Sequence, residues 1–381
     1  MIPQITADQP RCLLGVNSGT SADAVDFALI QVTGQGQNRE VSLLQSGSAG
    51  IPAELRKAIH LFAQWRPQDV AGFHHALGVF FGRAARAFLA EVQIAPEQVT
   101  ALCCHGQTVF HHGGQVSDGT LQLGSLSVIA AEVGTAVIGD FRWADLAQGG
   151  QGAPVSPFAD WVLFGHAEQE RVILNLGGIA NLTWLRPGED PVAWDSGPAN
   201  GPLDALAREF LEQPCDRDGA LAREGKVHPP TLAQLQEDPY FALPAPKSTG
   251  LEHFGSPFLQ KLRHFALEIS AADRMATLVE LAAWAVGSSL RVAGWQGGEV
   301  YAAGGGAHNP ALWEALERHL GTHRLHPLEN LPGAWRGDLR EAVAFALLGD
   351  AFLLGETATW PSTTGCRQAA VLGNWCPPAR P

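Results

Sequence analysis

Two apolar runs near the start of the chain, Cys12–Val16 and Val25–Val32, flank a short polar loop, Asn17-Ser-Gly-Thr-Ser-Ala-Asp23. Runs of this length with few polar interruptions predict buried strands, and the loop between them predicts a tight hairpin turn. Val41–Ser46 predicts a further strand. Pro52 opens an apolar-periodic stretch to Trp65, and Gln68–Val92 places Val70, Phe73, Leu77, Phe80, Phe81, Ala84, Phe88 and Leu89 on one helical face. Val99–Cys104 reads as a buried strand, followed by a short strand at Thr120–Leu123, a helix at Leu126–Val133 and a strand at Ala136–Gly139.

From Asp140 to Pro157 the pattern breaks into a Gly-rich, irregular segment. Such a stretch suits a domain junction or a cleft wall. Beyond it the opening theme returns: Arg171–Asn175, a turn Gly177-Gly178-Ile-Ala-Asn181, then Leu182–Leu185. Helical patterns follow at Leu203–Leu211, Phe258–Ile269 and Met275–Val292. The strand Val300–Ala303 runs into Gly304-Gly305-Gly306 and a helix near Asn309-Pro310, and Asp338–Leu354 is a last, strongly apolar helix. Each half has strands first and helices after, with a glycine-turn hairpin near its start. The expectation is an α/β protein of two domains, 1–140 and 141–381, with the final helices packing back on the first.

A chain of 381 residues suits two domains. The formal charge of −13, with no cluster of Lys and Arg, argues against nucleic acid as partner. An anionic ligand must instead be held locally, by backbone amides, a metal or single basic residues. No uncharged apolar run reaches the roughly 18 residues of a membrane span. Met1 to Gln9 lacks the basic start and apolar core of a signal peptide. The six cysteines show no CxxC spacing, so free, buried thiols are expected in a cytoplasmic protein.

The polar turns carry the candidate chemistry. Gly19 lets the backbone approach a ligand; Ser18, Thr20 and Ser21 add donors for phosphate oxygens. Asp23 and Asp26 are hard oxygen ligands suited to Mg²⁺. Two glycine-turn hairpins, one per half, would clamp a nucleotide's phosphates, and Gly304 to Gly306 would approach a flat ligand; a plain flexible turn is the alternative. Neither a P-loop nor a Rossmann fingerprint is present. Asp195, on a glycine-bearing turn after a strand, fits either a general base or a structural Asx-turn. Asn200 reads as the cap of the next helix. His105, Gln107 and Thr108, with Asp140 and Arg142, suit hydrogen bonds to a hydroxylated or anionic ligand. His105, His111 and His112 lack an acidic or thiol ligand at zinc spacing. Pro246-Lys-Ser-Thr-Gly250 reads as a surface loop that could cover a site. Glu341 lies among Ala342, Val343, Phe345 and Ala346, where an unpaired carboxylate would be costly, so it is expected to face a partner or substrate.

The segments NSGTSADAVD, CHGQT, TLQLG, DFRWADLAQGGQGAP, NLGGIANLT, WDSGPAN, PKSTG, AAGGGAHN and EAVAFALL occur in this order along nearly the whole chain. In this it resembles the anhydro-N-acetylmuramic acid kinases, sugar kinases of bacterial cell-wall recycling. The resemblance implies a two-domain actin-like fold of the sugar kinase/Hsp70 type, with ATP and Mg²⁺ in the interdomain cleft. It further implies that water attacks the anomeric carbon of the 1,6-anhydro sugar while the freed O6 takes the γ-phosphoryl group. Asp195 would be the base. Gly19, Thr20, Ser21, Ala22, Asp23, Ala24, Val25 and Asp26, with Gly177, Gly178 and Asn181, would hold phosphates and metal, and Gly304, Gly305 and Gly306 the nucleoside. His105, Gln107, Thr108, Asp140, Arg142 and Glu341 would form the sugar side, in a homodimeric enzyme.

The chain departs from the family pattern at the first loop, where Asn17 stands for the usual Met and Ala24 for a Gly. Two rival readings remain at this level. One is another sugar or small-molecule kinase of the same fold; the other is a nucleotide-dependent sugar sensor without turnover.

Overall fold

The computed structural model describes residues 5–19, 22–112, 119–266, 268–321, 324–332 and 339–378. The chain forms two compact units, Met1–Leu163 with Gly333–Pro381, and Phe164–Pro332. In the first, β1 (Arg11–Ser18), β2 (Ala24–Thr33) and β3 (Glu40–Gly50) make an antiparallel meander. On its other side β1 pairs in parallel with β4 (Ala101–Cys104). A ribbon of β5 (Gln107–His112) and β6 (Gly119–Leu123) follows. The sheet then continues in parallel with β7 (Val137–Gly139). The late strand Asn374–Cys376 closes the edge, antiparallel to β7.

The uninterrupted apolar runs have a direct cause: both faces of the sheet are covered. Leu14, Val16, Phe27 and Leu29 pack in a core with Leu77, Phe81 and Phe88 of the helix Pro67–Glu91 and Ile129 of Leu126–Val133. Leu13, Ala28, Ile30 and Val32 on the other face meet Val343, Ala346 and Leu347 of the helix Arg340–Leu354. That helix lies so close that a Cβ at Gly15 would sit 1.8 Å from the Ala342 carbonyl oxygen. Beneath it, Asp350 accepts from Arg11 Nε at 2.5 Å and Arg39 Nε at 2.8 Å, all three buried. Breaking such a buried pair costs about 3–5 kcal/mol.

The second unit repeats the plan. β8 (Arg171–Leu176), β9 (Ile179–Leu185) and β10 (Val192–Pro198) form an antiparallel meander. β11 (Glu299–Ala303) and β12 (Leu325–Pro327) extend it in parallel from β8. The order β10-β9-β8-β11-β12 matches β3-β2-β1-β4-β7 of the first unit. One face packs on the helices Asn200–Leu211, Ala271–Val292 and Pro310–Leu320. A mixed sheet repeated once per unit is the two-domain, actin-like α/β class expected from sequence.

The division falls later than the 140/141 break read from sequence. Phe158, Ala159 and Val162 of the helix Pro157–Phe164 lie in the core with Leu13 and Ile138. Asp160, 1% exposed, accepts from Arg340 at 2.6 Å. Segment 140–163 therefore belongs to the first unit. No helix among the described residues is long and apolar enough to cross a membrane. All six cysteines are free, with Cys103 and Cys104 buried.

Candidate functional site

In the second unit the expected nucleotide elements converge. Gly177-Gly178 is the whole connection between β8 and β9, and its carbonyls accept from the start of the helix Asn200–Leu211: Asn200 N to Gly177 O at 2.9 Å, Gly201 N to Gly178 O at 3.0 Å. Asn200 is not the cap expected from sequence. Its side chain donates to Leu176 O at 3.1 Å, tying helix to turn, and the cap position belongs to Ala199, which makes no side-chain cap bond.

The Gly304–Gly306 turn after β11 packs on the same place. Gly304 has φ +86°, and a Cβ there would meet Leu176 O at 2.8 Å and Asn175 Oδ1 at 2.9 Å. At Gly306 a Cβ would meet the Leu176 side chain at 2.8 Å. Both glycines are thus required by the fold itself. Gly305 is different: it is exposed, and a Cβ would lie 3.5 Å from Asn200 Nδ2, an ordinary contact. Gly177 and Gly178 would likewise accept a Cβ, with nearest neighbours at 3.5 and 3.9 Å, and neither has positive φ. Three bare backbone positions that the fold does not demand suit a ligand lying directly on the chain.

Asn175, Asn181 and Asp195 stand opposite one another across β8, β9 and β10, on the face away from Leu174, Leu182 and Trp194. A β-bulge between Asp195 and Gly197 re-aims the strand at that point. Asp195 N donates to Lys247 O at 2.9 Å, and Asp195 Oδ2 accepts from the Thr249 N–H at 2.8 Å. The Tyr240 hydroxyl donates to Asp195 O at 2.8 Å. Loss of water around the carboxyl, with Glu252 nearby, pushes its pKa up to about 7, against the Thr249 hydrogen bond and the Lys247 charge. A carboxyl titrating there can take and release a proton at neutral pH. The segment 246–250, read from sequence as a surface loop that could cover a site, is bonded directly to the candidate base.

In the first unit, the candidate sugar-side residues lie beyond the carboxyl ends of the parallel strands β1, β4 and β7, where α/β sheets place ligands. His105 is 7% exposed and stacks on Phe345, with ring centroids 4.4 Å apart. Its Nε2 accepts from Arg142 Nε at 3.1 Å, and its Nδ1 is buried near the Gly106 backbone without a well-aligned hydrogen bond among the described residues. Burial, and then the Arg142 charge, hold the ring's pKa well below 6.5, so it is neutral. Arg142 also donates to Gly152 O at 2.7 Å. Burial lowers its pKa to about 10, with Glu341 and Asp145 opposing the shift, so it keeps its charge at neutral pH. Gly152 N in turn donates to the buried Asp145 at 2.7 Å.

Other expected positions are placed differently. Gln107 is fully buried: it accepts from Ser18 Oγ at 2.7 Å and donates to Gly19 O at 3.2 Å, fastening the first hairpin turn to β5. Thr108 Oγ1 accepts from Gln122. Asp140 has φ +62° and accepts from Asn374 at 2.6 Å. Glu341, expected to face a partner or substrate, does not lie on the buried face of its helix. It is exposed in the first turn of its helix, which favours negative charge, and accepts from Asn17 Nδ2 at 2.6 Å.

Around the first turn, Ala22 N donates to Gly19 O at 3.0 Å. Thr20 and Ser21 lie outside the described residues. Ala22 and Val25 are buried in apolar clusters, which leaves only their backbones for a ligand. Ala24 starts β2 opposite Gly50 without positive φ, so no glycine is needed there. Asp23 is exposed and pairs with Arg56 at 3.1 Å; Asp26 is the cross-strand neighbour of Asn17. Among the described residues no cluster of three or more His, Cys, Asp or Glu could hold a metal. Two carboxylates suffice for Mg²⁺ that keeps waters and phosphate oxygens as its other ligands.

The family model for anhydro-N-acetylmuramic acid kinase matches residues 11–378. The chain belongs to that family. It is therefore a kinase, a phosphotransferase with an alcohol group as acceptor, acting in carbohydrate metabolism and using ATP. Solved structures similar to it include the activator of 2-hydroxyisocaproyl-CoA dehydratase from Clostridium difficile with bound ADPNP, at 13% identity and TM-score 0.40, covering 88% of this chain and 93% of that one. Component A of (R)-2-hydroxyglutaryl-CoA dehydratase from Acidaminococcus fermentans matches at 12% identity and TM-score 0.43, covering 88% and 96%. The ROK hexokinase from Thermus thermophilus matches at 14% and 0.36, covering 88% and 97%.

Several residues of this kinase's candidate site escaped the sequence reading. Asn175 could have been found as the polar end of an otherwise apolar strand, at the same hairpin position as Asn17. Thr249 contributes a backbone N–H, which no residue type announces. Lys247 and Tyr240 reach Asp195 from 52 and 45 positions further along, as 247 − 195 and 240 − 195 give, and only folding joins them.

Proposed function

We propose that this kinase opens the 1,6-anhydro ring of 1,6-anhydro-N-acetylmuramic acid and phosphorylates the released O6, giving N-acetylmuramic acid 6-phosphate for cell-wall recycling. The observation that carries the reading is Asp195: Oδ2 is held by an N–H, Oδ1 has no hydrogen-bond partner among the described residues, and the carboxyl titrates near 7. Asp195 takes a proton from water at Oδ1 as the water oxygen bonds to the anomeric carbon. The C1–O6 bond breaks, leaving its electrons on O6. Bound ATP with Mg²⁺ supplies the γ-phosphoryl group that O6 receives. General-base help of this kind contributes about 10²–10⁴-fold.

Gly177, Gly178 and Gly305 would lie against the nucleotide, with Asn175 and Asn181 beside them. Asp23 and Asp26 would hold the metal. Neutral His105, protonated at Nδ1, would donate to the sugar, and Arg142 would meet an anionic group on it. The reading also carries a homodimer and a cytoplasmic location; light scattering of the purified chain tests the first.

Incubating the protein with MgATP and the anhydro sugar, then weighing the product, tests the reaction. A product gaining a phosphoryl group and the elements of water supports it. Gain of phosphate alone would leave an ordinary sugar kinase, and no product at all would favour a sensor.

A further inference from the structure

Lys247 is 7% exposed, an unusual place for a lysine that has no carboxylate in hydrogen-bond reach among the described residues. Its ammonium donates to Tyr240 O at 3.0 Å and lies 4.5 Å from the centre of the Tyr240 ring. Tyr240 is itself buried, and its hydroxyl donates to Asp195 O. The Lys247 carbonyl accepts from Asp195 N, and two residues on the Thr249 N–H holds Asp195 Oδ2. One buried side chain thus anchors a short loop that grips the aspartate from its backbone and from one carboxyl oxygen.

We propose that Lys247 is a positioning residue for Asp195, anchoring the 246–250 loop on Tyr240 so that Oδ2 stays occupied and Oδ1 is presented to the reacting water. The proposal rests on Asp195 being the base. A mobile carboxylate could offer either oxygen in many orientations; the Thr249 hydrogen bond selects one. The ammonium has a second effect through space. It favours the carboxylate form of Asp195, opposing Glu252 and the loss of water. The influence is mutual: Asp195 supports the charge on Lys247, whose burial lowers its pKa to about 8. The other charged or titratable groups here are Glu252 on the next helix, Tyr240, and the exposed-side set Asp238, His253 and Lys261 that holds the Tyr240 turn.

Lys247→Met keeps the stem and removes the charge; Lys247→Arg keeps the charge. In the full chain with MgATP and anhydro sugar, the acid limb of the kcat–pH profile should move up by about one unit in Lys247→Met. Turnover below the limb then falls about tenfold and recovers at alkaline pH. Lys247→Arg should restore much of the original limb. An unmoved limb would overturn the proposal; a pH-independent fall on top of the shift reports the lost anchor. Near-normal turnover in Asp195→Asn would instead overturn the base reading.

A second measurement needs no Lys247 variant to fold. NMR of the wild-type chain labelled at lysine Cε should show a Lys247 step at the pH where the Thr249 amide moves, and Asp195→Asn should abolish it. A Lys247 titration indifferent to Asp195→Asn would also sink the proposal.

Discussion

Replacing Asp195 by Asn should make the protein a poorer catalyst and, above neutral pH, a more stable one. The carboxyl's pKa in the folded chain is about 7 against a reference of 3.8. Between those values the folded state holds a proton that the unfolded state has lost. Stability from this group is therefore complete at acid pH and disappears as pH rises through about 7. Three units at about 1.4 kcal/mol each set a ceiling of about 4 kcal/mol. Asp195 is only partly buried and retains some access to water, so a realistic figure is about 1–3 kcal/mol. For a unit of this size that corresponds to roughly 3–10 °C in Tm. Thermal melts of wild type and Asp195→Asn at pH 5 and pH 8 give the comparison. By pH 5 about a third of this contribution is already gone, so the variant should lead slightly at pH 5 and clearly at pH 8, while turnover at pH 8 falls by about 10²–10⁴-fold. An advantage equal at both pH values, or absent from both, would refute the burial argument. Retained turnover would refute the catalytic one.

The glycines of the 304–306 turn should separate by role: Gly304→Ala should destabilise the second unit through its +86° φ and the crowding against Leu176 O, as melts would show. Gly305→Ala should leave the melt unchanged yet weaken ATP binding in calorimetry; unchanged affinity would remove the nucleoside from that turn. Asn17→Ala frees Glu341 from its 2.6 Å bond, costing about 1 kcal/mol at this partly exposed position. The variant should raise KM for the sugar more than for ATP in steady-state kinetics. Asp145→Ala strands the Gly152 N–H and the Thr359 and Thr364 hydroxyls, which the carboxylate receives at 2.7, 2.8 and 2.6 Å. It should lower stability by about 3 kcal/mol in denaturant melts and, by loosening Gly152 under Arg142, raise the sugar KM.

The hairpins and long helices were legible because their cause is local. β1 and β2 are buried on two faces and so read as unbroken apolar runs; the helix Pro67–Glu91 keeps one apolar stripe. What the sequence left open depended on distance along the chain. The surroundings of Asp195, which bear on whether it acts as base or turn residue, are drawn from residues 240–252. Glu341 has apolar neighbours along the chain, yet it sits in the first helical turn, where one residue of phase separates core from solvent, so its exposure could not be read from them. Gln107 reads as a ligand residue from its type, and only the fold shows that it is fully buried and bound to the turn at Ser18 and Gly19. The strand Asn374–Cys376 is too short to leave any periodicity.

The return of the last residues to the first unit sets an order of assembly during synthesis. The second unit is one continuous segment, so it can close while the ribosome is still adding the remaining residues. The first unit cannot. Until the helix Arg340–Leu354 emerges, Leu13, Ala28, Ile30 and Val32 lack part of their cover, and Arg11 and Arg39 wait without Asp350. A nascent chain stopped just before residue 340 would thus carry a finished second unit and an incompletely covered sheet in the first. The strands of that sheet are made long before the helix that finishes burying them.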